Sequence, residues 1–249
     1  MDLKSRQEEV LSILSVQGYS TVKYLVETLH YSSATINRDL NELQKRGLVR
    51  RTHGGVEILS NNYVPIFFRS HLMQSEKRQI GKLASTFVKD GDTIFIDAST
   101  TAQSMEQFLF NKKNVTVVTN NMSLAINLSQ AGIKTICLGG EVVESPCMLC
   151  SAETVANASR YKVDKMFFST KAVSLDGLIA SGIYDLMLKA IARQATEVFY
   201  LVDHKKTTLP FNTVYGDFNC VNYVLSDFVF PTSTINAYKN TTFVNTENL

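Results

Sequence analysis

Ser32-Ser33-Ala34-Thr35-Ile36-Asn37-Arg38-Asp39-Leu40-Asn41-Glu42-Leu43 is the stretch of this chain that decides the fold of its amino-terminal part. Ser32 or Ser33 can accept a hydrogen bond from the free N–H groups of a first helical turn, which is the usual way a helix begins. Apolar residues then recur at helical spacing, namely Ile36, Leu40 and Leu43. Polar residues fall on the other faces, among them Thr35, Asn37 and Arg38. The pattern predicts an amphipathic helix with a polar, outward-facing amino-terminal half.

The residues around this helix predict two supporting helices and a hairpin. Apolar positions at helical spacing lie before it, at Val22, Leu25, Val26 and Leu29, and earlier at Leu3, Val10, Ile13 and Leu14. After Gly47, which can end the helix, residues 48–49 and 56–59 are short enough to pair as strands around a tight turn at Gly54-Gly55. Three helices followed by a hairpin is the order of a winged helix-turn-helix, which places its second motif helix in the major groove of DNA.

Charge supports an interaction with nucleic acid at this point of the chain. From Arg38 to His53 there are five Lys or Arg residues against two acids, whereas the whole chain carries a net charge of only +2. Phosphate contacts require such a local excess. The predicted DNA contacts are Ser32, Ser33, Thr35, Asn37, Arg38, Arg50, Arg51 and His53. The alternative is a small helical bundle with a solvated charged face, which does not require a basic wing.

At these residues the chain resembles the DeoR family of bacterial transcriptional regulators. The resemblance is carried by Thr35-Ile36-Asn37-Arg38-Asp39-Leu40 with Leu43, and by Arg51-Thr52-His53-Gly54-Gly55. The chain departs from the family pattern at Asn37, where the family commonly has a second arginine. We expect this difference to change which operator sequence is recognised. The resemblance continues to about Asp227, over a region where the family has a sensor domain for phosphorylated sugars.

Composition limits the size of the domains, the cellular location and the metal chemistry that we expect of this chain. With 249 residues, of which 45% are hydrophobic and 19% charged, the chain can form one sizeable core and a small module. No apolar run reaches membrane-spanning length and the amino terminus has no signal-peptide core, so we expect a cytoplasmic protein without a membrane partner. Cys147 and Cys150 have the CxxC spacing of a redox pair or half a zinc site. No second pair or nearby histidine completes four ligands, so we expect no metal and no cofactor.

A change of pattern marks a second domain. Residues 60–65 have loop composition, and Pro65 interrupts any continuous helix. Apolar positions at helical spacing then begin near Glu76. The predicted organisation is a DNA-binding domain over residues 1–59, a linker over 60–75, and an effector-binding and oligomerisation domain over 76–249.

The second domain alternates strand-like and helical segments. Apolar strand-like runs occupy residues 93–96, 115–118, 134–138, 165–168, 198–202 and 223–225, and helical stretches such as 102–110 and 123–130 lie between them. Strands that are apolar on both faces indicate a mainly parallel sheet covered by helices, so the predicted fold class is α/β. Ligands of such sheets bind beyond the carboxyl ends of the strands.

Polar residues of one chemical character follow these strands. The predicted effector contacts are Asp97, Ser99, Thr100, Thr101, Thr119, Asn120, Gly139, Gly140, Lys171, Asp203 and Lys206. Hydroxyls at a helix start and lysines suit a phosphate, carboxylates and amides can hold sugar hydroxyls, and glycines allow close backbone approach. The alternative is that these groups are helix caps and ordinary polar strand ends.

The family resemblance extends to these strand ends. It implies sugar-phosphate contacts at residues 97–101, 119–120 and 139–140 and at Lys206, and a fold similar to that of ribose-5-phosphate isomerase and coenzyme A transferases. The family usually has glycine at the position of Ser99, and often at those of Ser151 and Ser169. It tends to carry glutamates over residues 184–189, where only Asp185 is acidic here. These departures predict a different metabolite or weaker binding.

The function that accounts for both halves is a transcriptional regulator, expected to be a repressor of carbohydrate-metabolism genes. Its predicted partners are double-stranded operator DNA, a phosphorylated sugar effector and further copies of itself in a homodimer or homotetramer. One alternative is a regulator whose second domain only oligomerises or senses a non-sugar ligand. Another is an isomerase-like enzyme, but Asp97 or Asp203 in such a pocket more readily orients a hydroxyl than performs catalysis, and an enzyme has no need of a groove-reading helix. We therefore expect no catalytic residues.

Overall fold

The computed structural model describes residues 6–7, 9–11, 13–14, 19–46, 48–58, 73–144 and 148–248. The chain divides into two compact units, Met1–Leu72 and Met73–Leu249. Residues 60–72, which make up most of the predicted linker, lie outside the described residues.

The first unit combines helices with a small antiparallel sheet. Its elements are β1 (Tyr19–Thr21), α1 (Val22–Leu29), α2 (Ser33–Lys45), β2 (Val49–Thr52) and β3 (Gly55–Ile58). Residues 6–7, 9–11 and 13–14 are also helical. Ser32 begins α2 by accepting a hydrogen bond from the Thr35 backbone N–H at 3.2 Å. The strands pair in the order β1-β3-β2, so a third strand supports the predicted hairpin.

The core of the first unit lies where the helical spacing predicted it. Ile36, Leu40 and Leu43 are fully buried. They pack with buried residues from the other elements, namely Val10, Leu11, Leu14, Leu25, Val49 and Val56. Leu3 lies outside the described residues. Strand β1 was not predicted because three residues are too few to display a period of two.

Asp39 is the one charged residue of α2 that is buried, and the spacing of apolar residues gave it no role. Its carboxylate is 0% exposed and accepts two hydrogen bonds from Arg6, from Nε at 2.5 Å and from a terminal nitrogen at 2.9 Å. A two-point guanidinium–carboxylate pair is among the stronger hydrogen-bonded contacts in proteins. It ties the amino-terminal helical segment to α2.

The second unit alternates strands and helices along most of its length. Its elements are α3 (Gln74–Thr86), β4 (Thr93–Ile96), α4 (Thr100–Gln103), α5 (Glu106–Leu109), β5 (Thr116–Thr119), α6 (Met122–Gln130), β6 (Lys134–Cys137), β7 (Val142–Glu144), β8 (Met148–Leu149), α7 (Ala152–Ala158), β9 (Val163–Phe168), β10 (Leu178–Ala180), α8 (Asp185–Ala192), β11 (Ala195–Val202), β12 (Val214–Asp217), β13 (Tyr223–Ser226), α9 (Thr232–Ala237) and β14 (Thr242–Asn245). Short 3-10 helices occupy His204–Thr208, Phe218–Cys220 and Thr246–Asn248. Among the described residues no helix is both long enough and apolar enough to cross a bilayer.

Seven of these strands form one parallel sheet in the order β14-β13-β11-β9-β4-β5-β6. The chain proceeds outward from β4 through β5 to β6, and then returns to place β9 on the other side of β4. The strand order therefore reverses between β4 and β9, which is where open sheets of this kind form a crevice. The predicted α/β class with a mainly parallel sheet is confirmed.

Successive residues of the central strands face opposite sides of the sheet. Phe167 and Phe199 join the layer that contains Ile80 and Leu124, whereas Phe168 and Tyr200 join the opposite layer. Such strands are apolar on both faces, which is why they could be recognised as short apolar runs.

The predicted helix over 102–110 is two short helices, α4 and α5. Ser104 lies between them, and its hydroxyl is 2.6 Å from both the Thr101 and Lys77 carbonyl oxygens. A Cβ on Gly81 would collide with the Ser104 hydroxyl oxygen, so α3 packs directly against the interruption. The helical apolar pattern continues across both pieces and does not reveal the break. The pairs β7-β8 and β10-β12 and the edge strand β14 were not predicted either.

We expect Asp39→Ala to destabilise the first unit. The substitution removes the carboxylate and leaves the Arg6 guanidinium, whose side chain is 15% exposed, without its partner. Breaking a largely buried ion pair in this way costs about 3 kcal/mol of unfolding free energy. Chemical denaturation would measure the loss, with Glu42→Ala, an exposed acid on the same helix, as the control. Equal stability of the two variants would contradict the role given to the Arg6–Asp39 pair.

Candidate functional site

Lys206 joins the ends of three neighbouring strands at the reversal of the sheet. Its ammonium group donates to the Thr101 hydroxyl at 3.0 Å and to the Ser169 hydroxyl, and lies 3.8 Å from an Asp203 carboxylate oxygen. Thr101 follows β4, Ser169 follows β9, and Lys206 and Asp203 follow β11. The lysine side chain is only 12% exposed. With Asp97 and Ser99, described next, these residues are called the Lys206 cluster.

Asp97 and Asp203 are the buried carboxylates of this cluster, and Asp97 is the more deeply buried. Asp97 is 0% exposed, and one of its oxygens accepts a hydrogen bond from the Ser99 hydroxyl at 2.5 Å. Burial raises the pKa of Asp97 to about 6, although the Ser99 hydrogen bond and the charge of Lys206 both favour the ionised form. Ser99 also accepts from the Ala102 N–H at 3.1 Å, so it caps α4 as well.

Three buried oxygens at these strand ends accept no hydrogen bond from any described residue. They are the second carboxylate oxygen of Asp97, the side-chain oxygen of Asn120, and the Asp203 carboxylate oxygen that lies 3.8 Å from the Lys206 ammonium group, beyond hydrogen-bond distance. Leaving a buried acceptor without a donor is costly, so such groups usually meet water or a ligand. The arrangement can therefore accept hydrogen bonds from a polyhydroxylated molecule.

The ends of β5 and β6 are bound into the fold around them. The Thr119 hydroxyl donates to the Ile96 carbonyl at 2.6 Å, and the Asn120 amide donates to the Leu149 carbonyl at 3.2 Å. At Gly140, where φ is +115°, a Cβ would collide with the Thr154 hydroxyl oxygen. Close packing against α7 therefore explains why residue 140 is a glycine. The predicted contact of Gly140 with a ligand stays a prediction.

The structure gathers part of the predicted effector set. Asp97, Ser99, Thr101, Asp203 and Lys206 belong to one cluster. Thr100 is half-buried on α4 beside it, Gly139 is half-buried after β6, and Lys171 is exposed. Ser169 was not among the predicted residues, although its place directly after β9 was available as a signal. Charge favoured Lys171 from the same loop, but it is the Ser169 hydroxyl that contacts Lys206.

The predicted DNA contacts lie on α2, at its start, and on the β2–β3 hairpin. We call this hairpin the wing. Five are exposed, namely Ser32, Ser33, Arg38, Arg50 and His53, and three are half-buried, namely Thr35, Asn37 and Arg51. Arg50 pairs with Glu57 on the facing strand. Gly54, with φ of +83°, makes the turn that presents His53.

Cys147 lies outside the described residues, so the structure does not describe the CxxC pair. Cys150 is half-buried, and burial raises the pKa of its thiol. In the described part of the chain no three His, Cys, Asp or Glu side chains converge in a way that could hold a metal ion.

Family models match both units of the chain. The DeoR-like helix-turn-helix domain matches residues 6–62, and the DeoR C terminal sensor domain matches residues 73–228. The chain belongs to the DeoR family. This membership confirms the prediction of a DNA-binding transcriptional regulator with a helix-turn-helix and a sensor domain.

Relatives in this family align along most of the chain. The HTH-type transcriptional repressor GlcR of Bacillus subtilis is 31% identical over 90% of this chain and 88% of its own length. The lactose phosphotransferase system repressor of Lactococcus lactis is 31% identical over 83% of this chain and 84% of its own. The glycerol-3-phosphate regulon repressor of Escherichia coli is 28% identical over 94% and 95%.

Among solved structures, ribose 5-phosphate isomerase A from Methanocaldococcus jannaschii aligns with 53% of this DeoR-family chain and 54% of its own. The TM-score is 0.40 and the sequence identity 20%. The expected likeness to coenzyme A transferases stays a prediction.

We expect Asp97 to impose a pH dependence on stability. Its pKa rises from 3.8 to about 6 on folding, so between these values the folded chain holds a proton that the unfolded chain releases. The contribution of Asp97 to the unfolding free energy therefore falls, by about 3 kcal/mol, as the pH rises through this window. Asp97→Asn removes this dependence.

The measurement is the difference in unfolding free energy between Asp97→Asn and the wild type at several pH values. The unfolding free energy of the variant should rise relative to that of the wild type between about pH 4 and pH 6. Above about pH 6 the difference should stay constant. Asp176→Asn, at an exposed position, is the control. A difference that is constant with pH would show that Asp97 titrates as an ordinary carboxyl.

Proposed function

We propose that this DeoR-family chain is a repressor of carbohydrate-metabolism genes, and that a phosphorylated sugar bound at the Lys206 cluster controls its affinity for operator DNA. The observation that carries the proposal is the half-buried lysine shared by three strand ends, together with buried oxygens at the strand ends that lack hydrogen-bond donors. Relatives named for glycerol-3-phosphate and for a lactose phosphotransferase system support the chemical class.

The cluster suits both ends of such a ligand. The ammonium group of Lys206 favours a phosphate, because charge-assisted hydrogen bonds are stronger than neutral ones, and the Thr101 hydroxyl that contacts it can donate to the same group. The Ser169 hydroxyl donates its proton to the Leu201 carbonyl, so its part is to hold Lys206 in place. The acceptors of Asp97 and Asp203 suit the hydroxyl groups of a sugar or polyol, each of which brings one donor. Asn120, at the end of the neighbouring strand β5, offers a further acceptor in the same proposal. The remaining predicted contacts, Thr100, Thr119, Gly139, Gly140 and Lys171, belong to the same proposal.

The chain is proposed to act by binding and not as an enzyme. In this proposal Asp97 and Asp203 orient hydroxyls, and the helix-turn-helix domain supports a role in regulation. Binding to repeated half-sites favours a homodimer or homotetramer, for which the second unit is the proposed interface. A regulator of bacterial genes works where the chromosome is, so the proposed location is the cytoplasm.

Control by an effector requires that the ligand binds the DNA-free and DNA-bound forms with different affinity. Couplings of this kind are typically about 1–3 kcal/mol, which corresponds to a change in operator affinity of about 5- to 150-fold. For a repressor released by its effector, the ligand binds the DNA-free form more tightly. The direct test is release of a duplex, selected by this protein from a randomised pool, across a titration with a panel of sugar phosphates.

Lys206→Ala should abolish this release without weakening operator binding in the absence of effector. The substitution removes the ammonium group shared by Thr101 and Ser169. Lys205→Ala is a closely matched control, because Lys205 is adjacent, of the same charge and exposed. Anisotropy of a labelled duplex during the titration would measure both variants. Identical release from Lys206→Ala and Lys205→Ala would show that the effector does not bind at the Lys206 cluster.

The phosphate should contribute more to effector affinity than the sugar does. Charge-assisted hydrogen bonds are roughly twice as strong as neutral ones, so we expect the unphosphorylated compound to bind at least about tenfold more weakly. Calorimetry with glycerol 3-phosphate and glycerol, and with the best sugar phosphate of the panel and its parent sugar, would compare them. Similar affinities within each pair would favour a polyol sensor, and no binding by any compound would favour a domain that only oligomerises.

A further inference from the structure

Arg51 of the wing reaches back to the recognition helix α2. One terminal nitrogen donates to the Asn41 side-chain oxygen at 2.7 Å, and the other donates to the side-chain oxygen of Asn37. Asn37 and Asn41 lie one helical turn apart and therefore on one face of α2. A single guanidinium thus bridges two amides, a geometry for which its planar fork is suited.

Both ends of the Asn37 amide are used within the protein. Its oxygen accepts from Arg51, and its nitrogen donates to the Ser33 carbonyl at 2.8 Å, with the Ser33 hydroxyl at 3.3 Å. A residue that reads a base edge needs these same groups for the base. The sequence suggested that Asn37 alters which operator is read, whereas its contacts direct the amide to Arg51.

We propose that Asn37 and Asn41 are positioning residues, which hold the Arg51 guanidinium against α2 so that the wing and the recognition helix meet DNA as one preformed surface. This inference rests on DNA binding by the first unit. Bridging uses one N–H of each terminal nitrogen, so the guanidinium keeps further N–H groups for a phosphate. The amides contribute to affinity by fixing its place before DNA arrives, and not by selecting bases.

The inference requires that the asparagines act through Arg51. Asn37→Ala and Asn41→Ala should each weaken binding to the selected duplex about tenfold, as expected for loss of one hydrogen bond to a charged group. The same substitutions should have little effect when they are combined with Arg51→Ala. Arg51→Ala itself should also flatten the salt dependence by about one unit of slope. The sequences selected from the randomised pool should be the same for Asn37→Ala as for the wild type.

The controls separate this role from folding and from simple charge. Gln44→Ala, at an exposed position of α2, should bind like the wild type, and thermal unfolding of each variant identifies any that is misfolded. Arg51→Lys retains the charge without the fork, so we expect the wild-type salt slope with the affinity of the Asn37→Ala, Asn41→Ala double variant.

Several outcomes would overturn the inference. Asn37→Ala could select different sequences, which would make Asn37 a base-reading residue. Equal losses from the asparagine substitutions in the wild-type chain and in the Arg51→Ala variant would show that they act independently of Arg51. Full affinity in Arg51→Lys would show that charge alone suffices. A wild-type chain that retains no duplex from the pool would remove the DNA binding on which the inference rests, whereas the other results leave DNA binding intact.

Discussion

The reversal of strand order between β4 and β9 is the constraint on which the candidate effector site depends. Chain segments leaving the two strands cover opposite sides of the sheet, so the residues directly after each strand are left around a crevice. Lys206, from the loop after β11, extends to the ends of both strands by contacting Thr101 and Ser169. The lysine therefore connects the strand ends at the reversal of the sheet, and its position is a consequence of the topology as much as of its own charge.

The sequence predicted the elements of this sheet better than their arrangement. Central strands were visible because burial on both faces requires short apolar runs, and the residues after them were polar as expected. Strand order depends on pairing between distant segments, which no local pattern records. Ser169 illustrates the difference: it follows a strand that was recognised, but its contact with Lys206 depends on β9 lying beside β4 and β11. Because the strand order was not known from the sequence, the positive charge of Lys171 made it the preferred effector contact in this loop.

Buried acids were the other feature that periodicity could not interpret. Asp39 and Asp97 are both fully buried, yet Asp39 is paired with a guanidinium, whereas Asp97 has a raised pKa and an oxygen without a donor. In a pattern of apolar and polar residues both are simply polar: Asp97 was predicted as an effector contact because it follows a strand, and Asp39 was given no role. The distinction comes from the partner, which for Asp39 lies more than thirty residues away at Arg6. A paired buried acid indicates a structural contact, and an incompletely satisfied one indicates a site.

Ser99, at a position where the family resemblance led us to expect glycine, adds a hydroxyl group to the Lys206 cluster. Its hydroxyl gives Asp97 one hydrogen bond and also accepts from the Ala102 N–H, so one small side chain satisfies a buried acceptor and a helix end. A glycine at this position would remove both side-chain hydrogen bonds and leave Asp97 with the backbone hydrogen bonds of residues 99 and 169. Here the carboxylate has a single oxygen left to accept from a ligand, and the backbone N–H of Ala102 is already occupied. Part of the hydrogen-bonding capacity of the Lys206 cluster is thus met within the protein, which limits the groups that remain for a ligand.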